Sequence, residues 1–268
     1  MTSKKRLLAI LAHPDDESLG FGGTFARYAA EGVETFLITA TRGQRGRYGT
    51  AAQSPGLEIV GKAREKELFE AAQVLGIQKV HLLDYLDGNL DQADPGIIVP
   101  EIANLIREIK PQVVLTFGPD GLYGHPDHMA ISQFTTAALT KAALPEFESA
   151  VGNPHLVSKL YWFAWPPLKW SLYQAAFKKL TMQVDGQIRE AQSSPEWMVS
   201  TRIETASFWQ TWWNAIQCHQ TQIAIYDRLK TLSEAEHLQL WSSQEFHRAF
   251  SMVNGGRKLE VDLFDGLC

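Results

Sequence analysis

Short apolar runs alternate with amphipathic segments along the first half of the chain. Each run has the length of a buried strand, and the segments between them repeat their apolar positions at helical spacing. Strands are predicted at 7–12, 35–41, 80–83 and 113–117, and helices at 18–31, 59–75, 97–110 and 126–141. This alternation favours a mostly parallel sheet with helices on both faces, so we expect a Rossmann-like α/β fold.

The composition of the sequence changes after about residue 141, where Trp and Pro become frequent. The segments YWFAWPPLKW and FWQTWW hold six of the eight Trp residues, and further helices are predicted at 173–180 and 205–232. Large aromatic side chains more often pack in a core than bind a ligand. Because no linker or repeat separates the halves, we expect one domain over 1–268, with an α/β core over 1–141 and a Trp-rich C-terminal elaboration over 142–268.

The charge balance of the chain argues against general nucleic-acid binding. The formal net charge is -5, whereas proteins of that class carry a basic face. The apolar run after SKKR is too short for a signal peptide, and no charge-free stretch is long enough to span a bilayer. Only two cysteines are present, Cys218 and Cys268, which argues against a disulfide framework. We therefore expect a cytoplasmic protein with no membrane insertion.

Polar side chains cluster where the predicted strands end. They are His13, Asp15 and Asp16 after the first strand, Arg42 after the second, Asp84 and Asp87 after the third, and His125 and His128 after a later one. In open parallel sheets, the crevice beyond the carboxyl ends of the strands holds the ligand. We therefore expect these side chains to share one edge of the sheet.

The loops AHPDDE and GHPDH carry the residue types of a hydrolytic zinc site. Such a site takes three protein ligands from His and carboxylate and leaves one position for water. His13 and Asp16 can converge from one tight turn, and the second His of HPDH lies about one helical turn beyond the first. Spacing alone does not decide between Asp15 and Asp16, or between His125 and His128.

These two motifs together resemble those of the LmbE-like (PIG-L) family of zinc-dependent N-deacetylases. The resemblance covers most of the chain and includes TRG, AREKEL, LDGNL, VSKLYW, SPEW, CHQTQ and LEVDLFDGL. In the later segments the sequence looks closest to the deacetylases and amidases of the mycothiol pathway. One departure is Gln44, which stands where the family often has a Glu after TRG.

The resemblance implies a role for each residue of the two motifs. His13, Asp16 and His128 correspond to the Zn²⁺ ligands, and Asp15 corresponds to the general base. His125 corresponds to the residue that supports the oxyanion and protonates the leaving amine. A His suits that role because its pKa lies near neutrality, and we expect a neighbouring carboxylate to raise it.

Further positions are assigned partly by the same resemblance and partly by their residue type and place in the sequence. Asp127 is expected to orient His125, and Tyr123 matches a Tyr that can turn toward the reacting carbonyl. Glu17 is expected to hold His13 or to cap the following helix. Three residues are assigned to substrate contact: Arg42, Arg64 and Asp87. Four others are expected to be structural or to lie in a surface loop: Arg45, Arg47, Cys218 and His219.

These residues predict a zinc-dependent hydrolase that removes an acetyl group from an N-acetylglucosamine-type small-molecule conjugate. A zinc amidase that cleaves a thiol-sugar conjugate is the alternative, and a catalytically inert sugar-binding protein ranks below both. Nucleotide binding is suggested only by GFGG after the first strand, and Phe25 stands where GxGxxG needs its third Gly. Relatives often form homo-oligomers, which favours an oligomer here.

Overall fold

Five parallel strands lie side by side from one edge of a seven-stranded sheet in the computed structural model, which describes residues 4–149, 151–176, 180–222, 224, 228–253 and 258–267. The strands are β1 (Arg6–Leu11), β2 (Glu34–Thr41), β3 (Lys79–Tyr85), β4 (Val113–Thr116) and β5 (Lys159–Ala164). Their order across the sheet is β3-β2-β1-β4-β5, and every neighbouring pair is parallel. The predicted α/β fold class is confirmed, and β5 is a strand that the apolar pattern did not predict.

Helices connect these strands and cover both faces of the sheet. They are α1 (Asp16–Ala30), α2 (Leu57–Leu75), α3 (Pro95–Ile109), the single turn α4 (Gly121–Gly124) and α5 (Pro126–Ala143). Helix α1 contacts α2, and α3 contacts α5. Because parallel crossovers are right-handed, α1 and α2 lie on one face, and α3 and α5 lie on the other. The direction of winding reverses between β1 and β4, and the loops that follow these two strands meet there.

The C-terminal part of the chain extends the same sheet. Its strands are β6 (Thr181–Val184), β7 (Gln187–Glu190), β8 (Thr201–Glu204) and β9 (Ser243–Ser251), and its helices are α6 (Pro167–Ala176), α7 (Trp209–Cys218) and α8 (Glu234–Trp241). Strand β9 pairs antiparallel with β5, and β8 pairs antiparallel with β9. Strands β6 and β7 form a separate antiparallel hairpin.

Two of the C-terminal sequence predictions need correction. Helix α6 begins earlier than the predicted 173–180, and residues 177–179 lie outside the described part. The predicted helix 205–232 is broken: α7 is flanked by short 3-10 turns at Ala206–Phe208 and Leu229–Thr231, and residues 223 and 225–227 are not described. Cys218 is a free thiol, and Cys268 lies outside the described residues.

The apolar side chains form two clusters. The larger cluster packs the parallel strands against α1, α2, α3 and α5. The smaller one is aromatic and is built from Trp165, Trp170, Tyr173, Trp212 and Trp241 together with aliphatic neighbours. Most of the C-terminal Trp side chains therefore pack in a core, as the sequence predicts. Among the described residues, no helix has both the length and the apolar character needed to cross a membrane.

Candidate metal centre

The loop after β1 forms one side of the candidate metal centre. Asp16 is the first residue of α1, and its Oδ2 atom accepts hydrogen bonds from the N–H groups of Ala12 (3.2 Å) and His13 (2.8 Å). These bonds fold the turn back on the end of β1 and fix the carboxylate beside the His13 ring. Asp16 is only 8 % exposed, and a carboxylate so far removed from water requires hydrogen bonds or a cation.

The side chains of His13, Asp16 and His128 form a compact triangle, in which each oxygen of the Asp16 carboxylate lies near one of the two rings. His13 Nδ1 lies 3.2 Å from His128 Nε2 and 3.6 Å from Asp16 Oδ2, and His128 Nε2 lies 3.4 Å from Asp16 Oδ1. Two atoms that each lie about 2.0–2.1 Å from a tetrahedral zinc ion are roughly 3.4 Å apart. The three separations therefore suit one shared metal ion, and the donor set of two imidazole nitrogens and one carboxylate oxygen suits it chemically.

Distances to the other two ligands favour His128 over His125, because His128 Nε2 lies 3.2 Å from His13 Nδ1 and 3.4 Å from Asp16 Oδ1. The His128 ring stacks on Phe117, with ring centres 3.9 Å apart and planes within 1° of parallel. The ring of His125 stacks on His128 at 4.6 Å, so its plane is displaced from that of His128. Because an imidazole binds a metal in the plane of its ring, two stacked rings do not readily direct nitrogens at one ion. Even so, ligand atoms of His13, His125 and His128 lie within 4.8 Å of one another.

Two carboxylates hold the other nitrogen of His13. His13 Nε2 lies 3.0 Å from Asp127 Oδ2 and 3.2 Å from Asp87 Oδ1. Asp127 also accepts the N–H groups of Gly88 and Leu90, which fixes its carboxylate. A metal-binding His commonly donates its free nitrogen to a carboxylate in this way, and the arrangement presents Nδ1 as the ligand atom.

These contacts correct one prediction and extend another. The carboxylate of Asp127 orients His13 and not His125. Asp87 lines the cavity, and its carboxylate lies against His13 and accepts the N–H of Arg45 at 2.9 Å, so it positions a ligand, and its contact with substrate stays a prediction. Gln44 supports this loop, because its Oε1 atom accepts the N–H of Asp87.

The electrostatics of the cluster favour a cation beside His13. Burial alone would lower the pKa of His13, but the hydrogen bonds to Asp127 and Asp87 and the charge of Asp16 raise it to about 10. Burial alone would raise the pKa of Asp87, but its hydrogen bond with His13 lowers it to about 2. The carboxylates therefore remain ionised and stabilise positive charge at this position.

Asp15 lies next to the triangle but outside it. Its backbone has a φ of 105°, which is unusual for a residue with a side chain. Its Oδ2 atom lies 3.3 Å from the guanidinium of Arg64, which also donates to the carbonyl oxygens of Gly43 and Pro14. Arg64 is 4 % exposed. Arg64 therefore holds the loop and carboxylate of Asp15, and it also lines the cavity.

Glu17 supports the same loop from the opposite side, and it does not contact His13. Its Oε2 atom accepts the N–H of Asp15 at 3.0 Å, and its Oε1 atom accepts from Ser18 Oγ at 2.5 Å and from His219 Nε2 at 2.7 Å. The side chains of Glu17 and His219 are both 0 % exposed. His219, in the segment CHQTQ, is a buried hydrogen-bonded residue as expected. Its partner Glu17 accepts the backbone N–H of Asp15.

His125 begins α5 and has a defined hydrogen-bonding pattern. Its Nδ1 atom accepts the N–H of Asp127 at 3.2 Å, so a neutral ring carries its proton on Nε2. Burial and the neighbouring rings of His128 and His13 lower the pKa of His125 to about 3. The expectation of a pKa raised by a carboxylate is wrong, because the Asp127 carboxylate points to His13.

Tyr123 lies beside the imidazoles. Its ring centre is 5.7 Å from that of His125 and 5.5 Å from that of His128, and both pairs are close to perpendicular. The preceding residue, Leu122, has a φ of 71° inside the turn α4, which distorts the turn. Burial and the charges of Asp16 and Asp15 raise the pKa of Tyr123, so its hydroxyl stays protonated and able to donate.

The arginines near the site are placed differently from the prediction. Arg42, predicted to contact substrate, pairs with Glu65 (3.3 Å) and Asp84 (3.6 Å) and is not among the residues that line the cavity. Arg45, predicted to lie in a surface loop, lines the cavity at its polar side. The shared Gly-rich loop TRGQRGRYG gave no signal that distinguishes one arginine from the other.

A cavity of about 500 Å³ opens over these residues. Besides the metal-centre residues, its polar side includes Arg45, Arg64 and Gln222, and its apolar side includes Leu19, Trp165, Tyr173, Leu180 and Met182. Sequence reasoning did not select Gln222, although it belongs to CHQTQ, and it did not separate Trp165 from the other core Trp residues. The cavity has the size of a small-molecule site.

Comparison with known proteins identifies the family. The PIG-L family model, described as GlcNAc-PI de-N-acetylase, matches residues 8–139. The 1D-myo-inositol 2-acetamido-2-deoxy-alpha-D-glucopyranoside deacetylase of Thermobifida fusca is 32% identical over 97% of this chain and 99% of that protein. The chain belongs to the PIG-L family. This PIG-L protein is also 28% identical to the mycothiol S-conjugate amidase of Streptomyces coelicolor, over 100% of this chain and 99% of the amidase.

A solved structure shares the fold of this PIG-L protein. The N,N'-diacetylchitobiose deacetylase from Pyrococcus horikoshii has a TM-score of 0.68 and 20% identity, over 91% of this chain and 83% of that one. The sequence relatives are named as enzymes that act on amide carbon–nitrogen bonds. The resemblance inferred from AHPDDE and GHPDH is confirmed.

Proposed function

We propose that this PIG-L family enzyme is a zinc-dependent hydrolase that removes the acetyl group from an N-acetylglucosamine-type conjugate. The observation that carries the proposal is the triangle of His13, Asp16 and His128, with the Asp15 carboxylate beside it at the floor of a cavity. The relative from Thermobifida fusca is named for an acetylated glucosamine joined to inositol, which supports the same substrate class here.

The metal ligands in this proposal are His13, Asp16 and His128. Two imidazoles and a carboxylate are a hydrolytic zinc donor set, which leaves a position for water or substrate. When bound, zinc supplies a Lewis acid for the amide carbonyl and lowers the pKa of water toward neutrality. Asp87 and Asp127 hold the His13 ring so that Nδ1 is its ligand atom.

Asp15 is the proposed general base. It lines the same cavity as the three ligand residues, which supports a carboxylate within reach of a water at the metal position. Arg64 and the N–H contact with Glu17 fix its carboxylate and its backbone. After accepting the proton of the water, Asp15 also returns a proton to the leaving amine, in place of His125, because the lowered pKa of His125 leaves its ring neutral.

His125 and Tyr123 are the proposed donors to the oxyanion. The single proton of a neutral His125 is on Nε2, because Nδ1 accepts from the backbone. The Tyr123 hydroxyl is protonated, and the Tyr123 ring lines the same cavity beside His125. Donors placed where negative charge develops stabilise the tetrahedral intermediate.

We also propose that residues 1–268 form one domain, since strands from both halves of the chain build one sheet. A homo-oligomer remains a prediction, and sedimentation velocity would test it.

The first test measures free amine released from methyl 2-acetamido-2-deoxy-glucopyranosides by the zinc-loaded protein. Release that a chelator abolishes and zinc restores is expected, and chelator-insensitive release would contradict the metal. Asp15→Asn should abolish release while the zinc content measured by mass spectrometry remains. Asp84→Asn is the control, because the Asp84 side chain is 85% exposed and follows a strand at the same sheet edge.

If Asp15→Asn loses zinc instead, the base and ligand assignments are exchanged. Release of amine from a thiol-sugar amide, with none from any acetamide, would make the enzyme an amidase.

A further inference from the structure

The cavity over the metal centre has two chemically different walls. Arg45 and Gln222 lie on one wall, close to Asp15 and Arg64 of the metal-centre side. The apolar wall is built by Leu19 of α1 together with four residues of the C-terminal part, which are Trp165, Tyr173, Leu180 and Met182. A ligand that fills the cavity must therefore present a polar face and an apolar face.

The apolar wall is held in place by the aromatic cluster behind it. The Trp165 ring centre lies 5.1 Å from that of Trp170 and 4.5 Å from that of Tyr173, and Phe163 meets Trp165 edge-on at 5.1 Å. Leu19 and Leu180 pack against the same cluster. Because these side chains are already ordered, a ligand that binds there loses little free energy to ordering the wall.

We propose that the substrate of this enzyme carries an apolar, preferably aromatic, aglycone that packs against Trp165, Leu180 and Met182. The inference rests on the proposed deacetylase function and extends it to the group attached to the sugar. The sugar hydroxyls then face the polar wall, where Arg45 offers N–H donors and Gln222 offers its Oε1 atom as an acceptor, because the Gln222 amide N–H groups donate to Arg47 and Thr221.

A polyol aglycone fits this wall less well than an apolar one. Each hydroxyl that leaves water for an apolar surface loses hydrogen bonds that the wall does not return. An aromatic ring instead gains by leaving water: burying about 100 Å² of apolar surface corresponds to roughly a 70-fold gain in kcat/KM. Part of that surface stays exposed at the cavity mouth, so we expect a gain of at least tenfold.

The experiment compares three glycosides of 2-acetamido-2-deoxy-glucopyranose that differ only in the aglycone: phenyl, methyl and myo-inosityl. Both anomers of each are supplied to the zinc-loaded, full-length protein, and kcat/KM is measured from amine release. The expected result is a phenyl glycoside at least tenfold better than the methyl glycoside, and better than the inosityl glycoside. An inosityl glycoside equal to or better than the phenyl glycoside overturns the inference while the deacetylase function stands.

Two variants of the β6–β7 hairpin locate the effect. Met182→Asn replaces an apolar wall residue and should remove most of the phenyl preference over methyl. Ile188→Asn is the matched control, because Ile188 lies on the same hairpin, is 77 % exposed and is not among the residues that line the cavity. A phenyl preference that survives Met182→Asn would refute the assignment to this wall. If no glycoside releases amine, the proposed function itself is wrong, and the inference fails with it.

Discussion

The buried pair of Glu17 and His219 gives the sharpest test of how the site is held together. Substitution Glu17→Gln keeps the size of the side chain and removes its charge. In the native protein the carboxylate accepts from His219 Nε2 at 2.7 Å, from Ser18 Oγ at 2.5 Å and from the N–H of Asp15 at 3.0 Å. The variant therefore disturbs a buried ionic contact and the backbone of the proposed base together.

The size of the effect follows from burial. Both side chains are 0 % exposed, and removing one partner of a buried charge pair costs about 3–5 kcal/mol. His219 can respond by becoming neutral, so we expect a loss near the lower limit, about 3 kcal/mol of unfolding free energy. Loss of a hydrogen bond to a charged acceptor costs about 1.5–3 kcal/mol, which predicts roughly a 10- to 100-fold lower kcat if that bond holds Asp15 in its reactive position.

The assay combines urea unfolding with kcat measured at saturating zinc and substrate. Glu58→Gln is the matched control, since Glu58 is likewise the second residue of its helix but its side chain is 81% exposed. It should leave stability and kcat unchanged. Glu17→Gln, His219→Gln and the double variant complete a cycle, in which partners in contact couple by about 0.5–3 kcal/mol. Strictly additive losses in the cycle, or an unchanged kcat in Glu17→Gln, would refute the reasoning.

Three further predictions follow from the same contacts. Burial alone would lower the pKa of His219, but the charge of Glu17 raises it. The stabilisation that protonated His219 gives to the folded protein should thus be complete below pH about 6.5. It should be lost as the pH rises through the folded-state pKa of His219. The difference in Tm between wild type and His219→Gln should shrink over that range, and a constant difference would contradict it. Arg64→Gln should lower kcat about tenfold or more, because it removes a charged contact with Asp15. Arg42→Gln should change kcat less than twofold, because Arg42 pairs with Glu65 instead. Equal losses in the two variants would restore Arg42 as a substrate contact. Zinc at about 100 times its Kd should stabilise chelator-treated protein by about 2.7 kcal/mol in thermal melts, and His128→Ala should remove that gain.

The sequence predicts the central sheet well because parallel strands covered on both faces are continuous apolar runs. LLAIL and VVLT lie in β1 and β4, and all five residues of the first run are 0 % exposed. The same reasoning places AHPDDE and GHPDH at neighbouring strand ends, where the ligand atoms of His13 and His128 do meet. In contrast, β9 has the sequence SQEFHRAFS, with neither an apolar run nor a clean alternation, and it was missed.

The hydrophobic pattern of the sequence does not predict contacts that depend on loop conformation. The Asp127 carboxylate follows His125 by two residues, yet it turns to His13 because its oxygens also accept from the backbone of Gly88 and Leu90. The positive φ values of Asp15 and Leu122 decide where Asp15 and Tyr123 lie, and no sequence period reports them. Residue types at strand ends therefore indicate which groups meet, but not which nitrogen or carboxylate oxygen each one faces.

The division of the chain near residue 141 separates residues that act together. Residues before it supply the metal ligands and Asp15, but the chain after it supplies β5, β8 and β9 of the same sheet. It also supplies His219, whose contact with Glu17 fixes the backbone of Asp15, and the apolar wall of the cavity. A fragment ending near residue 141 would leave Glu17 without its His219 partner and exposed to water, which would weaken the contact that fixes Asp15. For this reason the C-terminal part is required for the proposed reaction, and it also helps to select the substrate.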